Sequence, residues 1–368
     1  MHQARPIPDL ATGQVEYFGS DLRRDDLRAA VRARPPTRHV RNYRGFAPMV
    51  HAPRDMTRSL RKLSSLLKNR RRLELLAYRA TGALFGGLWR AYYLKGLELP
   101  SSERPLVSVI IPTYGQLGYT AACLRSIMDH PPKVPIEVIV VEDHSGDRLI
   151  ASLAGVPGLR YLENPENLGF LRSCNRAATL IRGQYLYLLN NDAEVTEGWL
   201  DALVDVFKRF PDCGLAGSKL VFPDGRLQEA GGFVGDDASA LMRGKWDDPA
   251  KPEYNYLRDA DYISGASILV PRELWVRLAG FDEGFAPAYY EDADLAFRLR
   301  QAGFRVIYQP ASVVIHHGGV SYGAAAGSPA AAYSGRNQAR MKEKWRSVLR
   351  SDHDRKAEHG LRDNSSAQ

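Results

Sequence analysis

Tyr185-Leu-Tyr-Leu-Leu-Asn-Asn-Asp192 is the stretch that decides the fold. Five β-prone apolar residues run straight into two amides and a carboxylate. A continuous apolar run of this length is expected of a strand buried on both faces of a parallel sheet. Asn190, Asn191 and Asp192 then fall at its C-terminal end, where open α/β sheets hold their ligands. A carboxylate placed there can take a hard divalent cation, and the cation a diphosphate. Asn and Asp are also ordinary turn residues, so the stretch gains its meaning from its surroundings.

Working outward, strands are expected over 106–111, 136–141 and 159–162, with helices over 119–129, 169–181 and 199–210. Alternating β and α segments of these lengths predict an α/β fold, a mostly parallel central sheet flanked by helices. The second half is less regular. It reads as a strand over 214–222, a hairpin over 226–234 and a strand over 262–270. A helix over 291–302, strands over 305–308 and 312–316, and a helix over 331–349 complete it. The Ala/Gly-rich 323–332 is expected to be a mobile loop beside a site.

The 368 residues suffice for one large domain with an appendage, and 44% apolar with 25% charged residues is ordinary globular composition. Charge is uneven: residues 1–100 hold 20 Lys+Arg against 8 Asp+Glu, whereas the remaining 268 hold 30 against 34. The basic character therefore belongs to the N-terminal segment and gives no support for a nucleic-acid partner. Residues 1–56 read as an irregular Arg/Pro-rich segment. Residues 57–99 read as a basic amphipathic helical extension, suited to an anionic membrane surface or to packing on a neighbouring domain. The main domain is expected over 100–350, divided into a nucleotide-binding half (100–192), an acceptor or catalytic half (193–322) and a C-terminal helix (323–350). A polar tail, 351–368, follows. Three scattered cysteines, no apolar h-region at the start and no membrane-length apolar run predict a cytoplasmic protein, peripheral on the inner face of the membrane.

Several short segments carry candidate chemistry. Ile111-Pro112-Thr113-Tyr114 ends the first strand with a residue lacking an N–H donor and an aromatic able to meet a flat base. Glu142-Asp143 ends the second with carboxylates able to accept from a nucleobase or a ribose. Neither following loop is a GxGxxG or Walker cradle. Asn164-Pro-Glu-Asn167-Leu-Gly169 opens a helix bearing Asn175, and a helix N-terminus suits anions. Glu291-Asp292-Ala-Asp294 follows two tyrosines at another helix start, where acids serve the dipole or act as a general base. His316-His317 ends a strand with paired imidazoles, metal ligands or structural.

In this order the segments resemble the family 2 glycosyltransferases, inverting enzymes of the GT-A fold, over about 105–321. Within that family the chain is similar to bacterial O-antigen and capsule enzymes, including rhamnosyltransferase-like members. The resemblance implies transfer of a sugar from a nucleoside-diphosphate-sugar donor to a hydroxyl of a glycan or lipid-linked acceptor, beside other glycosyltransferase modules. It implies that Pro112, Tyr114 and Asp143, with Glu142, Asn167, Gly169 and Asn175, line the nucleotide. Asn191 and Asp192 would stand at the DxD-like position, with Asp192 holding Mn²⁺ or Mg²⁺. His316, or else His317, would be a second metal ligand. Asp292 would be the base, with Glu291 able to exchange roles and Asp294 supporting. A single carboxylate in Asn190-Asn191-Asp192 and Glu142-Asp143-His144 in place of Asp-Asp-Gly depart from the usual pattern. A non-catalytic sugar-nucleotide-binding or scaffolding module is the competing expectation.

Overall fold

A computed structural model describes residues 92–318 and 329–349. The expectations for 1–91, for most of the 323–332 loop and for the tail fall outside the described residues. Among those described, no helix is long and apolar enough to cross a membrane.

Strand β1 (Val107–Thr113), helix α1 (Leu117–Asp129), strand β2 (Ile136–Glu142), strand β3 (Leu159–Glu163), helix α2 (Gly169–Ala178) and strand β4 (Tyr185–Leu189) form the first half. Their strands lie in the order β4-β1-β2-β3, all parallel. β1 and β2 are buried at every position, the result of covering both sheet faces. Pro112 does not stop its strand. β1 stays paired with β2 through Thr113↔Glu142, while its pairing with β4 has already ended at Ile110↔Leu188. The missing N–H therefore costs no ladder bond on that side.

The second half is mixed. After β5 (Ala193–Val195) and α3 (Trp199–Arg209) come β6 (Cys213–Val221), β7 (Leu227–Glu229), β8 (Gly232–Val234), β9 (Ala240–Met242), β10 (Arg258–Asp259), β11 (Ser267–Pro271), α4 (Arg272–Arg277), α5 (Glu291–Gln301), β12 (Arg305–His316) and α6 (Pro329–Lys344). Strand β11 runs antiparallel between β4 and β6, and β12 is parallel to β6. The expected hairpin over 226–234 does not form. β7 returns to β6, and β8 pairs with β9, because Gly231 at φ +77° turns the chain between them. The two strands expected over 305–316 are one, with a register shift between Gln309 and Val313. Two apolar clusters fill the molecule, one on each face of the sheet, anchored by Trp275 and Phe281 on one and Tyr187 and Trp199 on the other. Cys123, Cys174 and Cys213 are all buried free thiols.

Candidate active site

Most polar candidates of the first half close on the protein itself. Asp143 accepts from Asn164 Nδ2, Leu168 N and Gly169 N, each at 2.8 Å. Glu142 receives the N–H groups of Gly115 and Ser145. The N-terminus of α2 is thus capped by a carboxylate from β2, and the Leu171 N–H goes to Pro287 O. These three leading donors are taken up by the protein itself. Gly169 has φ +78°, and a Cβ there would stand 2.8 Å from Pro287 Cβ. The close approach it permits is to a proline rather than to a phosphate. Asn175 donates to Phe281 O and accepts from Phe281 N, both at 2.9 Å, and clamps α2 to the chain before α5. Asn191 donates to the hydroxyls of Thr113 and Thr120 and faces inward. Tyr114 and Asn167 remain exposed at the sheet edge.

Asp192 and the histidines form a second group. His316 Nε2 lies 3.2 Å from Asp192 Oδ1, and its Nδ1 lies 2.9 Å from Gln228 Oε1. Gln228 Oε1 can only accept, so Nδ1 donates to it, and Nε2 is left to face Asp192 Oδ1. Burial alone would raise the Asp192 carboxyl; the charge of and hydrogen bond to His316, with His317 adding, outweigh it and hold the carboxyl below its usual range. His317 points elsewhere, to Glu194 Oε1 at 2.9 Å, with its ring edge-on to Tyr119. Asn190 Nδ2 reaches His316 Nε2 at 3.2 Å, while Asn190 Oδ1 is buried without a partner among the described residues.

The third group surrounds α5. Tyr289 and Tyr290 both have positive φ, 75° and 71°, and turn the chain into the helix. Asp292, partly exposed, accepts from Gly265 N at 2.9 Å and from Ala293 N at 2.8 Å. Burial raises its carboxyl, against the lowering effect of those two donors. Glu291 is buried, and its Oε2 has no partner among the described residues. Burial first, then the charge of Asp292, push it well above the ordinary carboxyl range. Asp294 is fully buried and binds Arg298, Lys344 and Trp345 Nε1, fastening α6 to α5.

The tripeptide Ser264-Gly265-Ala266 joins the last two groups. Gly265 N donates to Asp292, and Ala266 O accepts from Asn190 N at 3.0 Å, next to His316. Ser264 N donates to Glu229 Oε1 at 2.9 Å. Gln228 and Glu229 were missed in the sequence. Neither their type nor their place in a short edge strand marks them, and only the fold brings them to His316 and Ser264.

Residues 108–231 match the model of glycosyl transferase family 2. The matched segment is about a third of the chain. A family 2 assignment covers β1 through β7, the parallel half with Asn190-Asn191-Asp192. Among relatives, the chain is 31% identical over 231 residues to the O-antigen biosynthesis protein RfbC of Myxococcus xanthus, covering 60% of this chain and 18% of that one. It is 26% identical over 208 residues to the N-acetylglucosaminyl-diphospho-decaprenol L-rhamnosyltransferase of Mycobacterium tuberculosis, covering 50% and 67%. The Sinorhizobium fredii protein y4gI is 29% identical over 238 residues, covering 61% and 26%. The chain thus spans only about a quarter of y4gI and less than a fifth of RfbC. The solved structure of GalNAc-T7 with UDP, GalNAc and Mn²⁺ aligns at a TM-score of 0.48 with 17% identity, over 58% of this chain and 44% of that one.

Proposed function

We propose that this family 2 domain transfers a sugar, with inversion, from a nucleoside-diphosphate-sugar to a hydroxyl of a glycan or lipid-linked saccharide in cell-surface polysaccharide synthesis. The observation that carries the reading is the Ser264–Ala266 tripeptide. It holds Asp292 on one side and Asn190, with its His316 contact, on the other. An inverting transfer needs a base for the acceptor hydroxyl and positive charge at the leaving diphosphate, on opposite sides of the sugar. The names of the M. xanthus and M. tuberculosis relatives support a polysaccharide product and a polyprenyl-linked acceptor.

Asp292 is the proposed base. Its partly exposed carboxylate is held by two backbone N–H groups, and burial favours the proton it would receive. Glu291, buried and neutral, would support the turn. On the diphosphate side, Asp192 and His316 Nε2 suit Mn²⁺ or Mg²⁺ as an oxygen and a nitrogen donor. Gln228 fixes the ring as a supporting partner does at metal sites, and the unpartnered Asn190 Oδ1 lies on the same loop. Among the described residues no group of three His, Cys, Asp or Glu converges, so phosphate oxygens and water would complete the shell. When bound, such an ion would neutralise charge on the departing diphosphate. Exposed Tyr114 is placed for a base, while Asp143, Gly169 and Asn175 shape the pocket indirectly through the α2 loop.

A thermal-shift panel of UDP-, GDP- and dTDP-sugars, with and without Mn²⁺, tests the reading. One nucleotide should raise the unfolding temperature in a Mn²⁺-dependent way, because a ligand at a hundred times its Kd adds about 2.7 kcal/mol. No shift with any donor would count against it.

A further inference from the structure

Strand β7 presents adjacent residues to opposite sides, as any strand does. Gln228 meets His316, and Glu229 meets the Ser264 N–H. Glu229 is fully buried, and its Oε2 has no partner among the described residues. The next N–H along the chain, that of Gly265, is bound to Asp292 Oδ2. Consecutive N–H groups of one short turn therefore each hold a carboxyl group, near enough that the charge of Asp292 acts on Glu229. Two carboxylates coupled in a water-poor site resist ionising together. The proton belongs with the one that is less well stabilised as an anion. Asp292 has two backbone donors and partial access to solvent, whereas Glu229 has one donor and none.

We propose that Glu229 is a positioning residue for Asp292, a buried carboxyl that keeps its proton so that Asp292 carries the single negative charge held at Ser264-Gly265. This rests on the reading of Asp292 as the base. Burial pushes the Glu229 carboxyl up to about 8, with the Ser264 N–H opposing and the charge of Asp292 adding. The other titratable groups facing it are Tyr262, ahead of β11, and Tyr308 on β12. Both phenols are raised, chiefly by burial and in part by Glu229, and stay neutral. Were the shared proton to sit on Asp292 instead, Asp292 could not accept one from the acceptor hydroxyl.

The proton leaves a signature in stability that needs no catalysis. Between the ordinary glutamate value near 4.3 and the native value near 8, the native state binds more protons than the unfolded one, so stability falls as pH rises and levels off above it. E229Q removes that fall. Thermal unfolding from pH 5 to 9 of the wild type, E229Q, D292N and the double variant is the test. The gain in Tm from E229Q should grow from pH 5 to 8 and be smaller in the D292N background, where the neighbouring charge is gone. A gain that does not vary with pH, or that is equal in both backgrounds, overturns the proposal. Should E229Q fail to fold, D292N alone must show a shallower loss of stability over pH 5–8 than the wild type. A wild type that transfers no sugar defeats the functional reading instead, and the stability cycle still decides whether Glu229 and Asp292 share a proton.

Discussion

Two helix starts in this molecule, those of α2 and α5, both carry candidate site residues and differ in what their polar groups do. At α2, Asp143 takes the Leu168 and Gly169 N–H groups, Pro287 takes that of Leu171, and both ends of the Asn175 amide are used on Phe281. At α5, Glu291 Oε2 is buried and unpaired among the described residues, and Asp292 is partly open. Glu229, across the Ser264-Gly265 segment, also has an unpaired oxygen. A satisfied group stabilises the frame, whereas each buried unsatisfied one costs about 1–3 kcal/mol. On the proposed reading the first helix start is scaffold, and the second carries a cost that a bound substrate would offset.

The strongest way to break this contrast is D292N, which keeps shape but removes the proton acceptor. Transfer should fall roughly 10²–10⁴-fold while donor binding survives, and Glu291→Gln should be milder. Steady-state kinetics beside donor titration would show it. Normal turnover in D292N with collapse in Glu291→Gln would exchange their roles. Normal turnover in both would return the α5 start to scaffold. On the metal side, calorimetry with Mn²⁺ and a nucleoside diphosphate should find metal-dependent binding lost in Asp192→Ala. That binding should weaken more in His316→Ala than in His317→Ala, because His317 is turned to Glu194. Equal losses from the two histidines would contradict the geometry. The smallest effect is expected on the scaffold side. Asn175→Ala should lower stability by about 1–3 kcal/mol in chemical denaturation, with donor affinity kept. A variant that stays fully stable yet loses the donor would put Asn175 back in the nucleotide site.

Where pattern is set by burial, the sequence was readable. Tyr185–Leu189, and β1 and β2 within a residue or two, follow from apolar runs that only a covered parallel strand needs. Failures gathered where partners lie far along the chain. Leu227-Gln228-Glu229 gives no period to follow, and its pairing with β6 instead of β8 depends on tertiary contacts. The same holds for side-chain direction. The partners of Asp143, Gly169, Asn175 and Asp294 at Leu168, Pro287, Phe281 and Trp345 could not be read from the sequence. His316 and His317 were indistinguishable as letters and were separated only by Gln228 and Glu194.

The Asn337 amide on α6 has a consequence for where the working unit ends. It donates to the carbonyl groups of Phe285, Ala288 and Tyr289, the turn that delivers Asp292. Two successive tyrosines there hold left-handed backbone, which costs L-residues roughly 1–2 kcal/mol each and persists only when the surroundings fix it. Asn337 supplies that constraint from more than a hundred positions beyond the last residue of the matched segment, 108–231. A chain cut back to the recognisable motif would keep Asp192 and lose the proposed base altogether, while one ended before α6 would keep Asp292 and release the turn that aims it. On this reading the aim of the proposed base depends on α6, and a working portion has to include Asn337.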